Sequence, residues 1–309
     1  MYPCSPKAPR TAAIACLSLV AAVFAATPAP SAAQPPASAY VKTVEAWRTQ
    51  RDAELRADDG WLTLVGLHWL MEGPNEMGSD PACAVPLPNG TAPFHLGLLT
   101  LAKGIVTFEP APDTAALING KLAVRQIMRP QPGAYDVLMN GSLTLFVIKR
   151  GDRYGVRVRN RDNPARRTFA GTHWFPVNDT WRVTARFVPH ATPTSIMIAN
   201  VLGAVEPWPS PGVAVFTLDG KEYRLHAVLD GADAHELFFI FRDLTTGHDT
   251  YGGGRFLYAE MPKDGTVVLD FIKADSPPCA FTPFATCPLP PKENALPVRI
   301  EAGELDPHK

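Results

Sequence analysis

Thr250-Tyr251-Gly252-Gly253-Gly254-Arg255 is the stretch of the 309-residue sequence best suited to hold a ligand. Consecutive glycines let the backbone approach a bound group or adopt positive φ, and their successive N–H groups can cradle an anion. Arg255 would add a planar, two-pronged donor for carboxylate or phosphate. The same residues also suit a turn entering a strand at Phe256 with Arg255 in an ion pair, which is the commoner use of such a run. Asp243 and Asp249 bracket Leu244–His248 and could hold calcium or do acid–base work. They lack the EF-hand spacing, and Asp and Gly are ordinary turn residues. His173, in Gly171-Thr172-His173-Trp174-Phe175-Pro176, and His68, in Leu67-His68-Trp69, could titrate near neutral pH as general bases. Histidine between aromatic neighbours is more often packed than catalytic.

Motifs with a built-in mechanism are missing from the sequence. It has no G-x-S-x-G elbow, no H-E-x-x-H, no C-x-x-C and no G-x-x-x-x-G-K-[ST] loop. His235-Glu236 runs on into Leu237-Phe238 and leads nowhere. No local spacing suggests a metal, and no cofactor is expected.

The elements that must position these residues are mostly strands. Tyr40 to Asp58 reads as one helix, with Val41, Val44, Trp47 and Leu55 roughly on one face and Arg48, Arg51, Glu54 and Arg56 mostly elsewhere. Beyond it, alternating runs are broken by turn pairs. Leu143, Leu145 and Val147 precede Arg150-Gly151-Asp152-Arg153, and Tyr154, Val156 and Val158 follow. Asp219-Gly220 separates Val213–Thr217 from Tyr223 and Leu225, and Asp264-Gly265 separates Phe256 and Tyr258 from Val267, Leu269 and Phe271. Asp-Gly between such runs is a strong hairpin signal. The pattern predicts an all-β fold of antiparallel sandwich or barrel type with one N-terminal helix. Pro130, Pro132 and Gly133 break the alternation. They suggest a division into a β-sandwich at 59–132 and a C-terminal β-barrel or sandwich at 133–309, after a linker and helix at 34–58.

Composition speaks to the compartment. Lys7 and Arg10 precede a 15-residue run, Ala12 to Ala26, that is apolar except for Ser18. That is short for a membrane span, which needs about 20 residues. It fits a signal peptide over 1–33, cleaved near Ala33. Losing it moves the formal charge from −1 to −3. That leaves no basic excess for nucleic acid and no stretch able to span a membrane. The expected location is periplasmic or secreted. There Cys279 and Cys287 are the natural disulfide, closing a rigid strap with four prolines between Cys279 and Pro291, and Cys83 is left as a buried thiol.

Three blocks carry a family resemblance: Trp61–Leu70 (WLTLVGLHWL); Phe169–Pro176 (FAGTHWFP); and Thr250–Tyr258 (TYGGGRFLY) with Pro277–Pro291 (PPCAFTPFATCPLPP). Together they resemble the bacterial DUF1684 family of exported proteins, which implies no established activity. The block Asp270–Ser276 departs from the family pattern, lacking two amides and an aromatic ring. Gly73, Asn75, Met77–Asp80, Gly97 and Asn119-Gly120 are also spaced like a forkhead-associated β-sandwich, but without its phosphothreonine-binding residues. Three functions compete. One is binding of a small or glycan-like ligand among aromatics and arginines of the C-terminal β domain, with Tyr251–Arg255 at the site. Another is hydrolysis by His173 with Asp243, Arg255 steadying negative charge. The third is an envelope interaction module, which would expose an apolar patch on residues 60–128. The oligomeric state is left open.

Overall fold

The computed structural model describes residues 37–309 apart from residue 232; the expected signal peptide lies outside the described residues. The helix spans Ala37–Arg56. Beyond its end the chain folds back at Gly60, where a Cβ would meet Glu54 O at 2.3 Å, so only glycine fits.

Residues 64–160 form two facing sheets. One runs in the order Leu64–Trp69, Arg153–Asn160, Leu143–Arg150, Val137–Asn140, Leu117–Ile118, Lys121–Leu122. The other runs Val85–Pro86, Gly73–Gly78, Gly97–Ala102, Ile105–Pro110, Gln126–Ile127. Pairing is antiparallel except between Gly73–Gly78 and Val85–Pro86. Alternation explains the core between them: Met77, Leu99 and Phe108 face Leu145, Val147, Val156 and Val158. The sandwich does not stop at 132. Gln131 bridges to Ile148, and the strands of 137–160 complete the sheet begun at Leu64. Proline and glycine at 130–133 mark a bend in the sandwich rather than its end.

The C-terminal part forms no closed barrel. It holds an open four-stranded sheet in the order Lys221–His226, Val205–Leu218, Arg182–Ala199, Thr266–Asp270, and a separate pair, Glu236–Phe241 with Arg255–Glu260. The Asp219-Gly220 hairpin is present, with φ of 48° and 74°. Asp264-Gly265 also turns with positive φ, but the strands it joins pair elsewhere. Arg255–Glu260 pairs with Glu236–Phe241, and Thr266–Asp270 with Arg182–Ala199. Phe216, Phe239, Phe241, Leu257, Leu269 and Phe271 make the core here, and Tyr40 and Val44 of the helix complete it.

The helix's arginines are not on a solvated face. Arg48 donates to Phe175 O at 3.0 Å and lies over Trp174, and Arg56 donates to Phe169 O at 3.0 Å and lies over Phe169. Arg51 pairs with Asp275 at 2.9 Å and Glu304 at 3.3 Å. The helical period sets them off the apolar stripe, and their partners lie more than a hundred residues away in sequence. No helix among the described residues is long and apolar enough to cross a membrane.

Candidate functional site

Arg255 is spent on structure. It is fully buried and donates to Asp243 at 3.1 Å, Ile300 O at 3.1 Å, Thr245 Oγ1 at 3.3 Å and Ala302 O. Asp243 also accepts from Thr245 Oγ1 and Ile300 N. The pair clips the C-terminal segment to the sheet, and burial pushes the Arg255 guanidinium down while Asp243 holds it up. The glycines before it serve packing too. At Gly254 (φ +90°) a Cβ would lie 2.5 Å from Pro290 Cγ, and Tyr251 donates to Cys279 O at 3.2 Å. The Tyr251–Arg255 block therefore seats the proline strap.

His173 is exposed while Asp243 is sealed, and no hydrogen bond joins them. Asp249 pairs with Arg299 at 2.7 Å rather than sharing a partner with Asp243. His68 is half-buried, and burial pushes its imidazole down. Cys279 and Cys287 are thiols that hydrogen-bond each other, and Cys279 N–H reaches Cys287 Sγ at 3.1 Å. Cys83 is buried. Between residues 60 and 128 the exposed large apolar side chains include Leu117, Leu122, Val124 and Ile127.

The structure gathers a different set. A cavity of about 670 Å³ opens between the outer face of the sandwich and the C-terminal sheets. Trp61, Trp208, Phe238, Phe256 and Tyr258 supply aromatic wall, and Arg150, Arg157, Lys149 and Arg51 supply positive charge. The rings form a packed surface: Phe238 stacks on Tyr258 at 4.5 Å and meets Phe256 edge-on at 4.8 Å. The strap closes one side with Thr286, Cys287 and Pro288. It is fixed to strand Arg182–Ala199 by Leu289 N to Ala199 O and to the sandwich by Thr282 Oγ1 to Leu64 O.

Arg157 is the most telling residue. It is 5% exposed, and no carboxylate among the described residues lies within ion-pair distance of it. Its guanidinium lies 5.5 Å over Trp61 and donates to Thr286 Oγ1 at 3.0 Å, while Nε is buried without a partner. Arg150 reaches the same hydroxyl at 3.4 Å and also donates to Lys149 O at 2.8 Å. Two cations thus share one neutral acceptor. Burial first, then Arg150 and Arg159, push Arg157 down to about 10, and burial lowers Arg150 as well. Glu206 and Asp230 stand on the wall as the nearest acids to Arg150. Arg157, desolvated and without a carboxylate partner, favours an incoming anion.

The cavity floor includes the end of the altered block, Asp275 and Ser276. Ser276 Oγ is buried and unpartnered, and beside it Arg51 bridges Asp275 and Glu304. Burial pushes Asp275 up to about 6 and Glu304 up to about 7, against the pull of Arg51. Burial opposes the charge on Arg51, but the two acids outweigh it and hold Arg51 up. Glu304 Oε1 is buried without a partner.

The sequence held one overlooked signal for this site. Leu143–Ile148 is apolar on both faces, with Phe146 and Ile148 buried outside the sandwich core. A strand covered on both faces means that the arginines beside it, 157 and 159, are covered too.

Residues 167–305 match the family model described as a protein of unknown function, DUF1684. Over these residues the chain belongs to the DUF1684 family. The match takes in the strap, the cavity floor and the aromatic wall from Trp208 to Tyr258. It leaves Trp61, Arg150 and Arg157 outside, so in this protein the DUF1684 segment supplies one side of the cavity and the sandwich supplies the buried cations. The chain is also similar to an uncharacterized protein of Haloarcula marismortui solved by NMR. The two are 35% identical over 45% of this chain and 78% of that one, with a TM-score of 0.39. No curated protein matches the sequence.

Proposed function

We propose that this is an exported protein that binds a small organic anion carrying an aromatic or sugar ring, in the cavity between its sandwich and its C-terminal sheets. One observation carries the reading: buried Arg157, with an unpartnered Nε and only the neutral Thr286 Oγ1, shared with Arg150, as acceptor among the described residues, stands inside an aromatic-walled cavity. The cations would take the carboxylate or phosphate, and the rings of Trp61, Trp208 and Tyr258 would take the apolar body. Nothing in this reading uses His173, Asp243 or Arg255. Export rests on the N-terminal pattern of the sequence, and the mass of the mature chain in a periplasmic fraction tests it.

Calorimetry with phenyl phosphate, benzoate, glucose 6-phosphate and glucuronate, beside the uncharged phenol and glucose, tests the binding. Anionic ring compounds should bind, their neutral parents should not, and Arg157→Met should abolish the heat. Equal binding of charged and neutral probes, or failure of every anion, would overturn the reading.

A further inference from the structure

A separate cluster lies on the sandwich, outside the cavity. Glu76 stands on strand Gly73–Gly78, Cys83 in the turn that follows, and His95 just before strand Gly97–Ala102. One ligand atom of each, a carboxylate oxygen, a thiol sulfur and an imidazole nitrogen, lies within 4.8 Å of the other two. His95 Nδ1 is 4.0 Å from Glu76 Oε2. Tetrahedral donors around one zinc ion stand about 3.3–3.8 Å apart, given bonds of about 2.0–2.3 Å. A small rotation of two exposed side chains closes the difference.

The backbone that carries these groups is held by close hydrogen bonds. Leu96 N donates to Met77 O at 2.7 Å, Ser79 N to Pro93 O at 2.9 Å, Asp80 N to Phe94 O at 3.2 Å and Cys83 N to Asp80 O at 3.1 Å. Gly78 makes this approach possible, because a Cβ there would lie 2.0 Å from Phe94 O. Cys83 is 7% exposed, while Glu76 and His95 are open to solvent. The thiol therefore faces its two partners and leaves one side of the cluster accessible. Burial, then Asp80 and Glu76, push the Cys83 thiol up, so the surroundings resist a bare thiolate and would favour a cation.

We propose that Glu76, Cys83 and His95 bind a borderline transition-metal ion of the zinc(II) class, with the fourth position left to water or an exogenous ligand. Thiolate and imidazole select zinc, cobalt and copper over magnesium and calcium, and three protein ligands leave an open coordination position. Binding releases the thiol proton, so the apparent affinity rises with pH. The sequence hides the site, because its three ligands sit seven and twelve residues apart, on a strand, in a turn and in the approach to a second strand.

The test is a titration of the full, reduced, chelator-stripped protein with Co²⁺, followed by Zn²⁺. One equivalent of Co²⁺ should give a thiolate-to-cobalt charge-transfer band, and one equivalent of Zn²⁺ should erase it. Cys83→Ser should remove the band. Glu76→Gln, on an exposed side chain where folding is not at stake, should weaken zinc by at least about tenfold. The double variant Cys279→Ser, Cys287→Ser should keep the band. Absence of a band, survival in Cys83→Ser, unchanged zinc affinity in Glu76→Gln, or loss in the Cys279/Cys287 variant would each overturn the assignment.

Discussion

Replacing Arg157 by methionine should make the ligand-free protein more stable while removing the proposed anion site. The folded structure holds this guanidinium at about 10, well below its ordinary value, and each pH unit corresponds to about 1.4 kcal/mol. Keeping it charged therefore costs about 3 kcal/mol. Methionine gives up the hydrogen bond to Thr286 Oγ1, worth about 1 kcal/mol, and the contact with Trp61, worth about 0.5–1 kcal/mol. The net gain is about 1–2 kcal/mol, a rise in Tm of about 2–6 °C for a chain of this size. The sign has a pH signature. A cation whose folded value lies below its unfolded value is penalised fully at neutral pH, and the penalty fades as pH rises through the folded value. The gap between variant and wild type should therefore narrow above pH 10. Urea and thermal unfolding from pH 7 to pH 11, with a phenyl phosphate titration at pH 7, reads both effects. A variant that melts several degrees lower and still binds would show that Arg157 is a structural tether, and the argument from its unpaired charge would fail.

Further outcomes follow from other parts of the structure. Asp275 and Glu304 are held up at about 6 and about 7 by burial. A carboxyl raised on folding costs nothing below its unfolded value and most above its folded one, so stability should rise by about 2 kcal/mol as pH falls from 8 to 5; chemical unfolding across that range should show the slope, and Glu304→Gln should flatten it. Arg255→Met should lower stability by about 3–5 kcal/mol, because it strands the fully buried Asp243 carboxylate; Asp243→Asn added to it should recover part of the loss, measured by a double-mutant cycle in urea. The neighbouring thiols Cys279 and Cys287 should oxidise to a disulfide that stabilises by about 2–3 kcal/mol. Mass spectrometry would show a loss of two hydrogens, and dithiothreitol should lower Tm only where both cysteines are present.

What the sequence by itself determined is what depends on near neighbours. Period-two alternation marked the strands around Val147, Val156, Val215 and Leu269. Asp219-Gly220 marked its hairpin, and the 3.6-residue period of Val44 and Leu55 marked the helix. Each follows from backbone geometry within a few residues. Pairing was already less legible: Asp264-Gly265 turns as expected, yet its two flanking strands join different sheets. Tertiary structure alone decided what the arginines do. Arg255, Arg157 and Arg51 look alike in sequence. One is sealed against Asp243, one is buried beside a lone hydroxyl, and one is clamped between two acids more than 200 residues away. A guanidinium's role depends on which carboxylate, if any, the folded chain brings within 4 Å of it. That distance is set by the packing of helix, sandwich, sheets and strap together, so no local window of residues contains it.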